Sequence, residues 1–228
     1  SARIWKRGTM AKSRFIIVDD HPLFRGALRQ VLATSFADAS IEEAGSLDEL
    51  MPLIDDGVEP DLIFLDLAMP GVQGLAGLMQ LKAQHPSLPV VVVSATDDLA
   101  VVRRCLEFGA SGYVPKSEPV ENIRKAARTV IDGGIWAPEG LGKAPENSED
   151  RQLAARLSSL TPQQLRVLGM LGEGLLNKQI AYKLGVSEAT VKAHVSAILQ
   201  KLGVDSRTQA VIVINKIGIG AWQKTTEA

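Results

Sequence analysis

Phe15-Ile-Ile-Val-Asp-Asp-His-Pro22 is a short apolar run that stops abruptly at two acids, a histidine and a proline. A run of this length with no polar alternation predicts a strand covered on both faces. The pattern repeats downstream. Ile41–Ala44, Leu62–Leu65, Val90–Val93 and Gly112–Val114 predict four more strands. Helical stretches at 22–35, 47–56, 73–85, 98–108 and 119–132 alternate with them. Turn residues fall between elements at Gly57, Pro60, Pro70-Gly71, Pro86, Pro89 and Gly109. Ser46 with Glu49 reads as a capping box. This alternation predicts an α/β, doubly wound, parallel five-stranded domain over residues 12–133.

Residues 134–157 break the pattern. They hold Gly134, Pro138, Gly140, Gly142 and Pro145, then the acidic stretch Glu146–Asp150. They are expected to be a linker. Residues 158–218 then predict an all-α, four-helix domain. Thr161-Pro162 opens the first helix, Asn177 the second, Ser187 the third and Ser206 the fourth. Gly185 and Gly203 end the second and third.

Charge divides along the same boundary. The 228 residues carry 25 Lys/Arg and 26 Asp/Glu, a formal net charge of −1. Residues 150–228 hold ten basic and five acidic residues, residues 15–149 ten and 21, and residues 1–14 five and none. Two modules with different partners are expected. If the acidic module shields the basic one in an inactive state, it must dock within about 8–10 Å, the Debye length at moderate salt. No apolar run approaches the roughly 20 residues of a membrane span. The basic start, Ser1–Arg14, lacks the apolar stretch of a secretory signal and reads as a short extension. The lone Cys105 sits among Val101, Val102, Leu106 and Phe108, so it reads as a buried structural thiol. A reducing cytoplasm fits.

In an open parallel sheet, functional groups gather at the carboxyl ends of the strands. Asp19-Asp20 follows the first predicted strand, Asp66 the third, Ser94 the fourth, and Lys116 comes just after the fifth. Taken singly, Asp19-Asp20 could cap a helix, Asp66 could serve a turn and Lys116 could be solvated. Together they place three carboxylates at one edge, which repel unless a cation neutralises them. A hard divalent ion such as Mg2+, the one expected here, does so. A carboxylate beside magnesium, an ammonium and a hydroxyl can attack a phosphoryl group.

Val18-Asp-Asp-His-Pro22, Leu65-Asp-Leu-Ala-Met-Pro-Gly71, Val93-Ser-Ala95 and Gly112-Tyr-Val-Pro-Lys-Ser117 together resemble the receiver domain of two-component response regulators. The resemblance covers about residues 14–132. It implies that Asp66 is the phospho-acceptor, and that Asp20 and Asp66 bind Mg2+ directly. Asp19 would assist through water, and Ala68 would offer its backbone carbonyl. Ser94 and Lys116 would engage the phosphoryl group, and Tyr113 would be a switch aromatic whose rotamer follows Ser94. Tyr113 could instead be a half-buried structural residue, and His21 reads as a positioned loop residue.

Leu160-Thr-Pro-Gln-Gln-Leu-Arg-Val-Leu168, Asn177-Lys-Gln-Ile-Ala181, Val186-Ser-Glu-Ala-Thr-Val-Lys-Ala-His-Val195, Lys201-Leu-Gly-Val204 and Ser206-Arg-Thr-Gln-Ala210 are similar to LuxR-type helix-turn-helix domains. The two modules together look like a NarL/FixJ-type response regulator. By that resemblance Lys192, Ala193 and Ser196 face base edges, and Thr190, Lys178, Lys201 and Arg207 hold phosphates. His194 is expected to be half-packed against the bundle. Val211–Ile214 could be a dimer face, bundle core or both. Relatives usually carry glutamate at Gln164, paired with a basic residue in the bundle; a neutral amide could still hydrogen-bond. The implied partners are a sensor histidine kinase, double-stranded DNA and, when active, a second copy of the chain, with no membrane. The chain is not expected to be an enzyme beyond phosphoryl acceptance at Asp66. A dehalogenase-type phosphatase needs an aspartate where Ala68 stands, and no phosphate-binding G-x-x-x-x-G-K-[ST] loop occurs. A regulator that senses through protein contacts alone is the remaining alternative.

Overall fold

Arg14 heads the first strand, and its backbone N–H and carbonyl both reach Asp61 across the sheet end, at 2.8 Å each. This is a computed structural model; it describes residues 13–69, 72–73, 75–141 and 149–216. The elements run β1 (Arg14–Val18), α1 (Pro22–Ser35), β2 (Ser40–Ala44), α2 (Leu47–Ile54), β3 (Leu62–Leu65), a short hairpin of β4 (Ala68–Met69) and β5 (Val72–Gln73), and α3 (Leu75–Gln84). Then come β6 (Val90–Ser94), α4 (Leu99–Glu107), β7 (Gly112–Pro115) and α5 (Val120–Ile131). The helices α6 (Glu149–Ser158), α7 (Pro162–Gly172), α8 (Asn177–Leu184), α9 (Glu188–Leu202) and α10 (Arg207–Lys216) complete the described chain.

The main sheet is ordered β2-β1-β3-β6-β7, every pair parallel. Successive strand residues point to opposite faces, so each apolar run feeds two cores. Phe15, Ile17, Phe64, Val91, Val93 and Val114 pack with Leu28 and Leu32 of α1 and Ile123, Ala126 and Val130 of α5. Ile16, Val18, Ile63, Leu65, Val90 and Val92 pack with Leu50 of α2, Leu78 and Leu81 of α3 and Val102 of α4. The fivefold parallel sheet with helices on both faces is the architecture expected from the runs. The β4–β5 hairpin was not anticipated.

Ser46 caps α2 through its Oγ, which accepts from Glu49 N at 3.2 Å. The Glu49 carboxylate accepts from Gly45 N at 2.6 Å rather than from Ser46 N, so only half of the expected box forms. Cys105 is fully buried, and burial pushes its thiol pKa up.

The segment expected to be an unstructured linker is partly built. Trp136 pairs beside β7: its N–H donates to Ser111 O at 3.1 Å and its carbonyl accepts from Tyr113 N at 3.0 Å. Arg103 of α4 holds Leu141 O at 2.7 Å. Helix α6 occupies 149–158, where the sequence pattern indicated no element. Its Leu157 is fully buried, and α6 packs on α3, α4 and α9.

The second domain surrounds Leu165, Leu168, Leu171, Ile180, Val191, Ile198, Leu202, Ala210 and Ile214, all buried. Helix α7 packs on α9 and α10, and α8 on α9. Gly185 and Gly203 close α8 and α9 at φ of 65° and 67°, in the left-handed region that glycine adopts freely. The two domains touch where α3 meets α7. Among the described residues, no helix is long and apolar enough to cross a membrane.

Candidate functional site

Backbone bonds carry the sheet register one residue past each strand. Asp19 N donates to Ala44 O at 3.1 Å, Asp66 N to Val18 O at 2.9 Å and Lys116 N to Ser94 O at 2.7 Å. These bonds bring Asp19, Asp66, Ser94 and Lys116 to one sheet edge. Asp19 and Asp66 are each 2% exposed, and Ser94 is fully buried.

Lys116 Nζ lies 2.6 Å from Asp19 Oδ2 and 2.9 Å from Asp66 Oδ2. Its ammonium also sits over the Phe24 ring, 4.4 Å from the centroid. His21 N donates to Asp19 Oδ1 at 2.8 Å. The His21 ring Nδ1 is 2.8 Å from Asp20 Oδ1 and 3.3 Å from Asp19 Oδ1. Ala68 N donates to the other Asp66 oxygen, Oδ1, at 3.1 Å. Arg25 Nη1 donates to the Asp19 carbonyl at 2.5 Å.

Burial raises the Asp66 pKa above the usual carboxylate range, against the pull of Lys116. Burial also pulls Lys116 down, but its hydrogen bonds to Asp19 and Asp66 outweigh this and leave it raised. The site therefore concentrates negative charge that one ammonium only partly offsets. Donor atoms of Asp19, Asp20, His21 and Asp66 lie within 4.8 Å of one another. Asp20 Oδ1 is buried, with the His21 ring Nδ1 beside it at 2.8 Å. Three carboxylates of this kind form a hard oxygen donor set that fits Mg2+.

Asp19, Asp20, Asp66 and Lys116 come together at this edge, Ala68 meets Asp66 through its N–H, and Tyr113 lies deeper. Its ring is fully buried, its hydroxyl donates to Thr96 O at 2.9 Å, and burial raises its pKa. The Ser94 Oγ is fully buried beside Tyr113, and its hydroxyl works against the larger effect of burial on the Tyr113 pKa. Asp19 also touches Lys116 directly. Phe24 and Arg25 escaped the sequence reading. Both stand on the first turn of α1, where neither charge nor spacing marks them.

The second candidate surface is the helix pair α8–α9. Ser187 Oγ accepts from Thr190 N at 3.1 Å and so starts α9. Lys178, Thr190, Lys192, Ala193 and Ser196 are exposed, and His194 is half-buried. Lys192 Nζ lies 3.3 Å from Glu188 Oε1. Lys201 and Arg207 are placed differently from the other candidates. Lys201 Nζ donates to Ser159 O at 2.7 Å and to Gln164 Oε1 at 2.9 Å. Arg207 donates to Asn177 Oδ1 at 3.1 Å and to Leu175 O. On α10, Ile214 is buried and Ile212 is half exposed.

A family model described as "Response regulator receiver domain" matches residues 15–128. A second, "Bacterial regulatory proteins, luxR family", matches residues 158–214. The glycerol metabolism activator of Pseudomonas putida is 38% identical over 92% of this chain and 98% of its own length. The nitrate/nitrite response regulator protein NarL of Escherichia coli is 32% identical over 88% and 94%. Among solved structures, the response regulator RcsB of Salmonella typhimurium superposes with a TM-score of 0.52. That match covers 91% of this chain and 100% of RcsB at 23% identity. The LuxR family DNA-binding response regulator from Silicibacter pomeroyi gives a TM-score of 0.50 at 28% identity, covering 57% of this chain and 99% of its own.

Proposed function

Because this chain belongs to the NarL/FixJ-type response regulators, with a receiver domain joined to a LuxR-type DNA-binding domain, we propose that phosphorylation of Asp66 by a sensor histidine kinase controls its binding to DNA. The observation that carries this reading is Lys116 Nζ bridging Asp19 Oδ2 and Asp66 Oδ2 at the carboxyl edge of the sheet. The lysine orients the Asp66 carboxylate and waits beside the oxygen positions a phosphoryl group would bring.

In the proposed step an Asp66 oxygen attacks phosphorus on the kinase phosphohistidine. The P–O bond forms as the P–N bond breaks, and that electron pair returns to the kinase imidazole. Asp19, Asp20 and Asp66, with the Ala68 carbonyl, would hold Mg2+. A bound magnesium supplies neutralisation of charge on the transferred oxygens. Lys116 exchanges its Asp66 contact for a phosphoryl oxygen. Ser94, buried at the same sheet edge, donates to another. Tyr113 relays the change from its place beside Thr96.

The new charge biases a two-state surface and favours a DNA-binding dimer. Lys192, Ala193 and Ser196 then read base edges in the major groove, while Lys178 and Thr190 hold phosphates. Lys201 and Arg207 act mainly by bracing the helices that present these residues, because their donors already meet protein oxygens. Residues 12–133 and 158–218 serve as the two functional units, with 134–157 as the connection.

The test is DNA binding by the full chain, with and without beryllofluoride and Mg2+, across a salt series. The duplex is one selected from a random pool. Beryllofluoride is expected to tighten binding about 5-fold or more, the lower end of typical coupling between sites. Equal affinity in both states at every salt concentration contradicts the reading.

A further inference from the structure

Among the described residues, the Lys116 ammonium meets two carboxylates and one ring face. These are Asp19 Oδ2 at 2.6 Å, Asp66 Oδ2 at 2.9 Å and the Phe24 ring face at 4.4 Å from the centroid. Phe24 is half-buried on the first turn of α1 and packs against the core formed by Phe15, Ile17 and Leu28. The ring is thus fixed by the core on one side and offers its negative face to the lysine on the other.

We propose that Phe24 is a positioning residue for Lys116, holding the ammonium at the acidic edge while its hydrogen-bond partner changes. The inference rests on the reading of Asp66 as phospho-acceptor. When an Asp66 oxygen bonds to phosphorus, that carboxylate loses much of its charge, and its pull on Lys116 weakens. Hydrogen bonds to carboxylates are directional, so exchanging one for another leaves a long side chain free to swing out. Attraction to a ring face needs no particular donor direction, so it persists through the exchange. The ring also covers one side of the ammonium, at the end of a side chain only 18% exposed, and keeps water from competing there.

The same turn supports the arrangement. Arg25 grips the Asp19 carbonyl at 2.5 Å, and its Nε reaches Glu43 Oε2 at 3.3 Å. Glu43 is also held by Arg29 at 2.9 Å. The start of α1 is therefore tied to β2 and to the acidic loop, which fixes the height of Phe24 over the site.

The test compares Phe24→Leu, which keeps apolar bulk, with Phe24→Tyr, which keeps a ring face, in the full chain. Two readouts are taken. The first is the NMR shift of the Lys116 ε-methylene, which a ring face moves upfield. The second is the rate of labelling by radioactive acetyl phosphate with Mg2+. Phe24→Leu is expected to lose the upfield shift and slow labelling about 3- to 10-fold, in line with a partly desolvated cation–π contact. Phe24→Tyr is expected to retain both. Tyrosine slowing labelling as much as leucine, or a parent protein with no upfield shift, overturns the proposal. So does unchanged labelling in Phe24→Leu. Failure of the Asp66 reading is recognised separately, by Asp66→Asn labelling at the parent level while the Lys116 shift stays in place.

Discussion

Arg14 illustrates what a single residue hides in the sequence. By charge count it joins the basic residues at the chain start. In the fold it opens β1, and its guanidinium meets Glu42 Oε2 at 2.6 Å, Asp56 Oδ2 at 2.8 Å and the Leu53 carbonyl at 2.9 Å. Burial opposes its charge, but the hydrogen bonds to Asp56 and Glu42 outweigh this and raise its pKa. Those acids lie 42 and 28 positions away, so no local pattern could expose the network. Phe24 was hidden for the same reason, since its partner Lys116 comes from the opposite end of the domain. Asp19, Asp20, Asp66 and Lys116 were legible because each lies within two residues of the end of an apolar run. Arg14→Ala is expected to lower unfolding stability by about 2–3 kcal/mol. That is less than the 3–5 kcal/mol of breaking a fully buried pair, because Glu42 and Asp56 can turn to water. Urea denaturation of the full chain measures it, and a loss under about 0.5 kcal/mol, the usual range of a surface substitution, contradicts this account of Arg14.

At the scale of elements, the strands were readable because burial on both faces leaves a run with no polar gap. Helix α6 was not. Its sequence Glu149-Asp-Arg-Gln-Leu-Ala-Ala-Arg-Leu-Ser158 is mostly polar. It is held by tertiary contact: Leu157 is buried, and Arg156 Nη1 donates to Leu202 O at 3.1 Å. Tertiary packing supplies most of a short helix's stability, and propensity does not record it. The start of α7 was half legible. Thr161-Pro162 signals it, and Thr161 Oγ1 accepts from Gln164 N at 3.2 Å. The departure at Gln164 turns out to be accommodated. Its Oε1 accepts from Thr161 N at 3.0 Å and from Lys201 Nζ at 2.9 Å, which joins the start of α7 to the end of α9. Gln164→Ala is expected to cost about 1–2 kcal/mol, the value of a lost cap plus an orphaned donor. Gln164→Glu should be at least as stable as the parent, since a carboxylate makes the stronger bond to Lys201. Chemical denaturation followed by helical circular dichroism checks both, and a destabilised Gln164→Glu contradicts the assignment.

For the whole molecule, the near-zero net charge conceals an acidic receiver and a basic DNA-binding domain. That division was readable from composition; the way the halves meet was not. The receiver touches the second domain through α3 on α7, and α3 and α4 also pack on α6 of the connection. Lys192, Ala193 and Ser196 on α9 remain exposed. The cross-domain pair Arg166–Asp48, at 3.9 Å and largely exposed, adds little. Shielding of the basic domain thus does not arise by covering α9 in this arrangement. The packing of α6 and α7 lies within the same continuous core as Leu78 and Val102. All of this depends on Asp66 receiving the phosphoryl group. The most direct measurement is labelling of the full chain and of Asp66→Asn by radioactive acetyl phosphate with Mg2+. The account predicts labelling of the parent chain and its loss in Asp66→Asn. Labelling of Asp66→Asn at the parent level would contradict it.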